Sequence, residues 1–331
     1  MDSNSKCSRA LQIRQGLNLW YVSAAGGDLS TVLWNLWFPP MLSLVTSHTL
    51  VVPNGTLYYE VRGSGPLLVL IPGANGEASL YNSVALELSL SRRFRVVTYD
   101  RRGYSRSTYT VMPDESESES EYETRVLTDV DDVARLIRHL SPDAPATVFG
   151  SNTGAIVALT LLARHSDLVR TLVAHEPPAF TFLPDGEQIM AAMEPVYDEF
   201  RRVGVQAVMG VPLEVMGTSN AVGTERSDPH APANLKFWME NELRQYPRTK
   251  IDVESLKEKV NQLLLAGGRD GKNLMLYQPN MVLVERTGTE VIDLPGGHLG
   301  YKTHPKEFAA ELLMALEMRS SLHEARTTKG L

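Results

Sequence analysis

From Leu57 onward, short apolar runs rich in β-branched residues alternate with stretches whose apolar positions recur every three or four residues. That alternation predicts a mostly parallel sheet with helices on both faces. Strands are predicted over Leu57–Val61, Leu67–Ile71, Arg95–Tyr99, Thr147–Phe149, Thr171–Ala174, Leu263–Ala266 and Glu290–Leu294. Several are apolar without a break, as strands covered on both faces should be. Val126, Val130, Val133, Ile137 and Leu140 follow at spacings of 4, 3, 4 and 3, drawing one stripe along a helix that Ser141–Pro142 stops. Pro305 is placed to open a last helix whose Phe308, Leu312 and Leu316 share a face.

Two segments interrupt the alternation. Asp114–Glu123 carries six carboxylates in ten residues and reads as a self-repelling surface loop; it lacks the glycine turn of a calcium loop. From Pro177 to Pro247 no strand series is visible, while Met190, Met193, Met209, Met216 and Met239 accompany Phe180, Phe182, Tyr197, Phe237 and Trp238. This pattern predicts a helical lid over the carboxyl ends of the strands, its thioethers and rings suited to packing and to irregular apolar ligands. The domain expectation is an N-terminal extension over 1–50, a core from 51–176 and 249–331, and a helical cap over 177–248.

Composition narrows the classes of function. With 331 residues, 43% hydrophobic and 21% charged, the chain can bury a full core and is not of disordered composition. Lys and Arg number 32 against 39 Asp and Glu, a net charge of −7 that leaves no broad basic surface, so nucleic acid is not an expected partner. The single Cys7 excludes an intrachain disulfide framework and a Cys-ligated zinc site, and fits a reducing, cytoplasmic setting. No Asp, Glu, Lys or Arg lies between Asp28 and Glu60, yet Asn35, Pro39, Pro40 and His48 break the apolar stretch. It stops short of the roughly 20 residues a spanning helix needs, so no stable membrane span is expected.

The densest chemical signal is Thr147-Val148-Phe149-Gly150-Ser151-Asn152-Thr153-Gly154 running into Ala155–His165. An apolar strand, a G-x-x-x-G turn and an alanine-rich helix follow one another with no spare residues. Here the chain resembles the α/β-hydrolase superfamily, in which the centre of G-x-S-x-G is the nucleophilic serine. In this sequence the centre is Asn152. The resemblance extends from Leu57 to the end and implies an α/β-hydrolase fold with a cap insertion. Ile71-Pro72-Gly73-Ala74-Asn75-Gly76 is similar to the family's oxyanion loop, which implies N–H donors at Ala74 and at Thr153, the residue after the elbow. Asp100–Ser107 is similar to its D-x-R-G-x-x-x-S turn. Gly267-Gly268-Arg269-Asp270 stands where the family places its acid, and Pro295-Gly296-Gly297-His298 where it places its histidine. The resemblance thus implies Asp270 and His298 as the dyad. Glu176, in His175-Glu176-Pro177 leaving a strand toward the elbow's face, is the alternative acid.

A carboxamide nitrogen has its lone pair delocalised into the carbonyl, so Asn152 should form no acyl-enzyme. Alternate residues of a tight turn point apart, so the Ser151 hydroxyl should face away from the site. Three readings follow. The chain is an enzyme acting on a small, mostly apolar ester, lactone or related carbonyl compound through His298 and its carboxylate, with Asn152 orienting substrate. Alternatively it only binds such a ligand in a lidded pocket. In the third reading Asn152 becomes aspartate, although a following Thr153 makes the spontaneous route slow. No H-E-x-x-H, P-loop or G-x-G-x-x-G after a strand is present, so neither metal nor organic cofactor is expected.

Overall fold

The computed structural model describes residues 45–74, 76–111, 119–208 and 229–329. Nine strands form one sheet among these residues: β1 (Thr46–Val52), β2 (Gly55–Gly63), β3 (Leu67–Ile71), β4 (Arg95–Tyr99), β5 (Thr108–Tyr109), β6 (Ala146–Ser151), β7 (Val169–His175), β8 (Leu263–Gly268) and β9 (Val291–Leu294). The order is β1-β2-β4-β3-β6-β7-β8-β9, with β5 on the side of β2. β1, β2 and β4 pair antiparallel, and every pairing from β4 through β3 to β9 is parallel. β1 crosses the expected boundary at residue 50. The membrane question raised by the stretch around Trp34, Trp37 and Phe38 lies outside the described residues, among which no helix is long and apolar enough to cross a membrane.

The apolar runs form strands because both faces are covered. Alternate residues of β3 part company: Leu67, Val69 and Ile71 enter one hydrophobic core, and Leu68 and Leu70 enter the other. The first core receives α2 (Glu119–Leu140) and α3 (Thr153–Arg164); the second receives α1 (Asn82–Leu90) and α8 (Pro305–Lys329). Between these come α4 (Gly186–Val203), α5 (Ala231–Asn241), α6 (Val253–Glu258) and α7 (Gln278–Thr287). Val126, Val130, Val133 and Ile137 are all buried, as are Phe308, Leu312 and Leu316, so both predicted stripes face the sheet. The acidic segment departs from expectation. Its Glu119–Glu123 portion is already the first turn and more of α2, and the residues before it lie outside the described ones.

Residues 177–248 carry α4 and α5 and no strand among the described residues, as the patterning predicts. Met190 and Met239 are buried with Phe180 and Phe237, while Met209 and Met216 lie outside the described residues. The thioethers that are described therefore pack.

Candidate active site

The site is assembled where β6 ends. Gly150 and Gly154 bracket the turn because a Cβ on Gly150 would stand 2.3 Å from the Gly154 carbonyl oxygen, and one on Gly154 would stand 2.4 Å from that of Ile71. Between them Asn152 takes φ 55 and ψ −128. Asparagine tolerates positive φ better than most residues, and the strain projects its side chain beyond the sheet edge. The neighbouring strands bring the partners: β3 leads into the Pro72–Ala74 loop on one side and β7 leads into Glu176 on the other.

Three side chains form a continuous chain of hydrogen bonds. Asn152 Nδ2 lies 3.2 Å from His298 Nε2, and His298 Nδ1 lies 2.5 Å from Glu176 Oε2. With Nδ1–H donated to the carboxylate, Nε2 carries the lone pair, so it accepts from the amide nitrogen. The other amide atom is also engaged: Thr153 N–H donates to Asn152 Oδ1 at 2.8 Å. His298 and Glu176 are buried, at 3% and 2% exposure. Asn152 is partly exposed. Burial pulls the Glu176 carboxyl upward, but the hydrogen bond from His298, the proximity of the two imidazole rings and the Gly268 N–H outweigh it and hold the group below the usual carboxylate range.

The carboxylate on His298 is Glu176 and not Asp270, which corrects the expectation drawn from position along the chain. Asp270 sits in a one-turn 3₁₀ segment, Arg269–Gly271, with an exposed side chain, and its backbone N–H donates to the Gly296 carbonyl. The reason is local packing. Gly268, at the end of β8, is pressed against Gly297, where an added Cβ would meet the carbonyl carbon at 2.4 Å. The loop bearing His298 therefore lies directly over the end of β8. Glu176, turned back by its φ of 46, reaches it from below with Oε1 held by Gly268 N–H at 2.7 Å. A second acid candidate on the strand beside the elbow was visible in His175-Glu176-Pro177; the positive φ was not.

Ser151 faces inward, as the turn geometry predicts. Its hydroxyl is buried and 2.9 Å from His175 Nδ1. The His175 ring lies among Phe149, Tyr301 and Phe308, and is nearly parallel to His298 at 5.8 Å. Burial in that cage pushes its pKa down to about 4, so it is neutral near pH 7. His175, Glu176 and His298 offer donor atoms within 4.8 Å of one another, the one possible metal grouping among the described residues. A bound zinc needs its ligands at about 2.0–2.2 Å. Here Glu176 and His298 are already hydrogen-bonded to each other, while His175 uses only Nδ1, toward Ser151, and its buried Nε2 has no hydrogen-bond partner.

A buried charge cluster holds the elbow against the loop after β3. Arg101 is wholly buried; its guanidinium donates to Gly73 O at 3.1 Å, Thr153 Oγ1 at 3.0 Å and Asp129 Oδ2 at 2.9 Å, and also to Glu242. Arg125 adds a second cation, 3.2 Å from Asp129 and 3.4 Å from Glu242. Two cations and two anions thus balance inside the protein. Glu242, a partner that sequence reading did not identify, directly follows α5. Arg102 forms a structural salt bridge with Asp132 at 2.8 Å.

Residues 66–305 match the family model described as alpha/beta hydrolase fold. An uncharacterised hydrolase of Bacillus subtilis, YraK, is 34% identical over 279 residues, covering 82% of this chain and 97% of its own length. A zearalenone hydrolase of Bionectria ochroleuca is 30% identical, covering 80% and 95%. Among solved structures, a haloalkane dehalogenase of Bradyrhizobium elkani superposes with a TM-score of 0.60 at 17% identity, covering 84% of this chain and 99% of that one. At that identity the likeness concerns the fold.

Proposed function

We propose, for a chain that belongs to the alpha/beta hydrolase fold family and is a hydrolase related to zearalenone hydrolase, that it hydrolyses a small, mostly apolar ester or lactone without an acyl-enzyme. The carrying observation is the relay from Asn152 Nδ2 through His298 to Glu176, at 3.2 and 2.5 Å. His298 Nε2 takes the proton of an attacking water while Glu176 stabilises the imidazolium, and the same nitrogen returns the proton to the leaving alkoxide. The Ala74 and Thr153 N–H groups hold the developing oxyanion. Thr153 N–H is engaged by Asn152 Oδ1, so a substrate carbonyl must displace the carboxamide, which then orients it through Nδ2. Asn152 stands in the place of the family's nucleophile and supplies alignment, with residues 177–248 as the cap over an apolar pocket.

That engagement of Thr153 also favours a second reading, a ligand-binding protein whose site no longer turns over. Initial rates on a panel of aryl and alkyl esters and lactones, for the chain and for His298→Ala, separate the two. The hydrolase reading expects a rate well above background that the variant loses; equal background rates would establish the binding module. Fluorophosphonate should leave the chain unlabelled and should label Asn152→Ser at the new hydroxyl. Labelling of the unmodified chain at Ser151 would overturn the assignment of the turn.

A further inference from the structure

The elbow side chain is itself a primary carboxamide, and the groups around it are those that amide hydrolysis requires. Its oxygen accepts a hydrogen bond from the Thr153 backbone N–H at 2.8 Å, the type of donor that steadies a developing oxyanion. Its nitrogen, the leaving atom, lies 3.2 Å from the nitrogen that would protonate it. Behind that imidazole stands a buried carboxylate at 2.5 Å. Nδ2 and Cγ are one bond apart, so a water poised over Cγ is within reach of the same Nε2. Asn152 is partly exposed, which admits that water. The backbone at φ 55 and ψ −128, locked by the close approach of Gly154 to Ile71, keeps the carboxamide in this setting.

We propose that the chain hydrolyses the Asn152 side chain, converting the elbow residue to aspartate and releasing ammonia. The inference rests on the reading of His298 and Glu176 as an acid–base pair. Water gives one proton to His298 Nε2 as its oxygen bonds to Cγ, and the carbonyl electron pair moves onto Oδ1 beneath the Thr153 N–H. The tetrahedral carbon then re-forms its carbonyl. The Cγ–Nδ2 bond breaks, Nε2 returns its proton to Nδ2, and ammonia leaves. The sum is carboxamide plus water giving carboxylic acid plus ammonia, ionised to carboxylate and ammonium, with no redox change.

The spontaneous alternative, attack of the Thr153 backbone nitrogen on Cγ, passes through a cyclic imide and yields isoaspartate as well as aspartate. Thr153 is β-branched and its N–H is committed to Oδ1 as α3 begins, both of which oppose that route. The hydrolytic route gives aspartate alone. It also changes what the site can attack, because a carboxylate is a nucleophile toward saturated carbon where a carboxamide is not. His298 would then activate the water that releases the ester so formed.

The full chain, purified quickly, is incubated near neutral pH in ordinary and in heavy-oxygen water, and the peptide spanning the elbow is followed by mass spectrometry. The expected result is time-dependent conversion at Asn152 to ordinary aspartate carrying one solvent oxygen. His298→Ala and Glu176→Gln should convert at least about 100-fold more slowly, as loss of a general acid–base predicts. Asn152→Asp supplies the reference product and shows that the converted chain folds. An intact carboxamide in the wild-type chain while that preparation still hydrolyses esters or lactones would overturn the inference and leave the hydrolase reading standing. Isoaspartate accumulating equally in His298→Ala would also overturn it, in favour of the spontaneous route. Neither turnover nor conversion would defeat both readings.

Discussion

Glu176→Gln isolates the carboxylate's part in the relay. The replacement is nearly isosteric, and its amide oxygen can keep the Gly268 N–H bond now made at 2.7 Å. Its NH₂ then faces His298 Nδ1, so that nitrogen must accept and the ring proton moves to Nε2. The lone pair that serves as base is lost, and Nε2–H points at Asn152 Nδ2, itself a donor. The negative charge beside the imidazolium formed in the transition state also disappears. Unit charges about 4 Å apart attract by about 4 kcal/mol at an effective dielectric constant of 20. Allowing for residual polarity of the amide, a loss of about 3 kcal/mol is expected, roughly two orders of magnitude in rate.

Steady-state kinetics on whichever panel ester or lactone turns over best would read this as a fall in kcat with KM little changed, since Glu176 is buried behind His298. A parallel Asp270→Asn variant should stay within about twofold, because exposed charges contribute little. Circular dichroism melting of both variants separates lost chemistry from lost fold. An equal collapse of kcat in Asp270→Asn, or full activity in Glu176→Gln, would refute the geometric assignment of the acid.

Glu242→Gln removes one of the two anions that balance Arg101 and Arg125, leaving a buried cation uncompensated. Breaking a buried pair this way costs about 3–5 kcal/mol, so urea unfolding should show a loss of that size; a change under about 1 kcal/mol would mean that the cluster is open to water. His175 gives the chain a pH signature. Its folded pKa of about 4 lies below its unfolded value of about 6.5, so the unfolded state binds the proton first as pH falls. The stability is fully present above about pH 6.5 and is lost toward pH 4, by up to about 3 kcal/mol. His175→Gln should flatten that part of the urea-unfolding profile, and an unchanged slope would assign it to other groups.

The strands were legible wherever both faces are buried, because there each residue must be apolar whichever core it enters. β3 and β4 fall on their predicted residues, Leu67–Ile71 and Arg95–Tyr99. β1 was not legible for the converse reason. It pairs only with β2, most of Thr46–Val52 is exposed, and its first residues are polar, so no periodicity marks it. The helical start at Glu119 was not legible because six carboxylates in ten residues carry no apolar periodicity that would mark a helix.

The site divides along the same physical line. The elbow was legible because its constraint is steric and local: a strand, a turn and a helix with no spare residue need glycine where backbones touch, and sequence shows glycine directly. His298, the proposed base, was legible as a histidine after two glycines beyond the last strand. Glu176, the proposed acid, and Glu242 depend on which strand ends lie side by side and on which way a backbone turns there. A φ of 46 at Glu176 leaves no mark in composition, and Glu242 lies 141 residues from the Arg101 it neutralises. The family resemblance favoured Asp270, which ends the strand where the family places its acid. Order across the sheet favours Glu176, because β7 borders the elbow strand and β8 is covered by the histidine's own loop. A carboxylate acts on an imidazole through space, so adjacency in the sheet outweighs position along the chain. In a sheet of this order, the strand directly beside the elbow is therefore the first place to seek the acid.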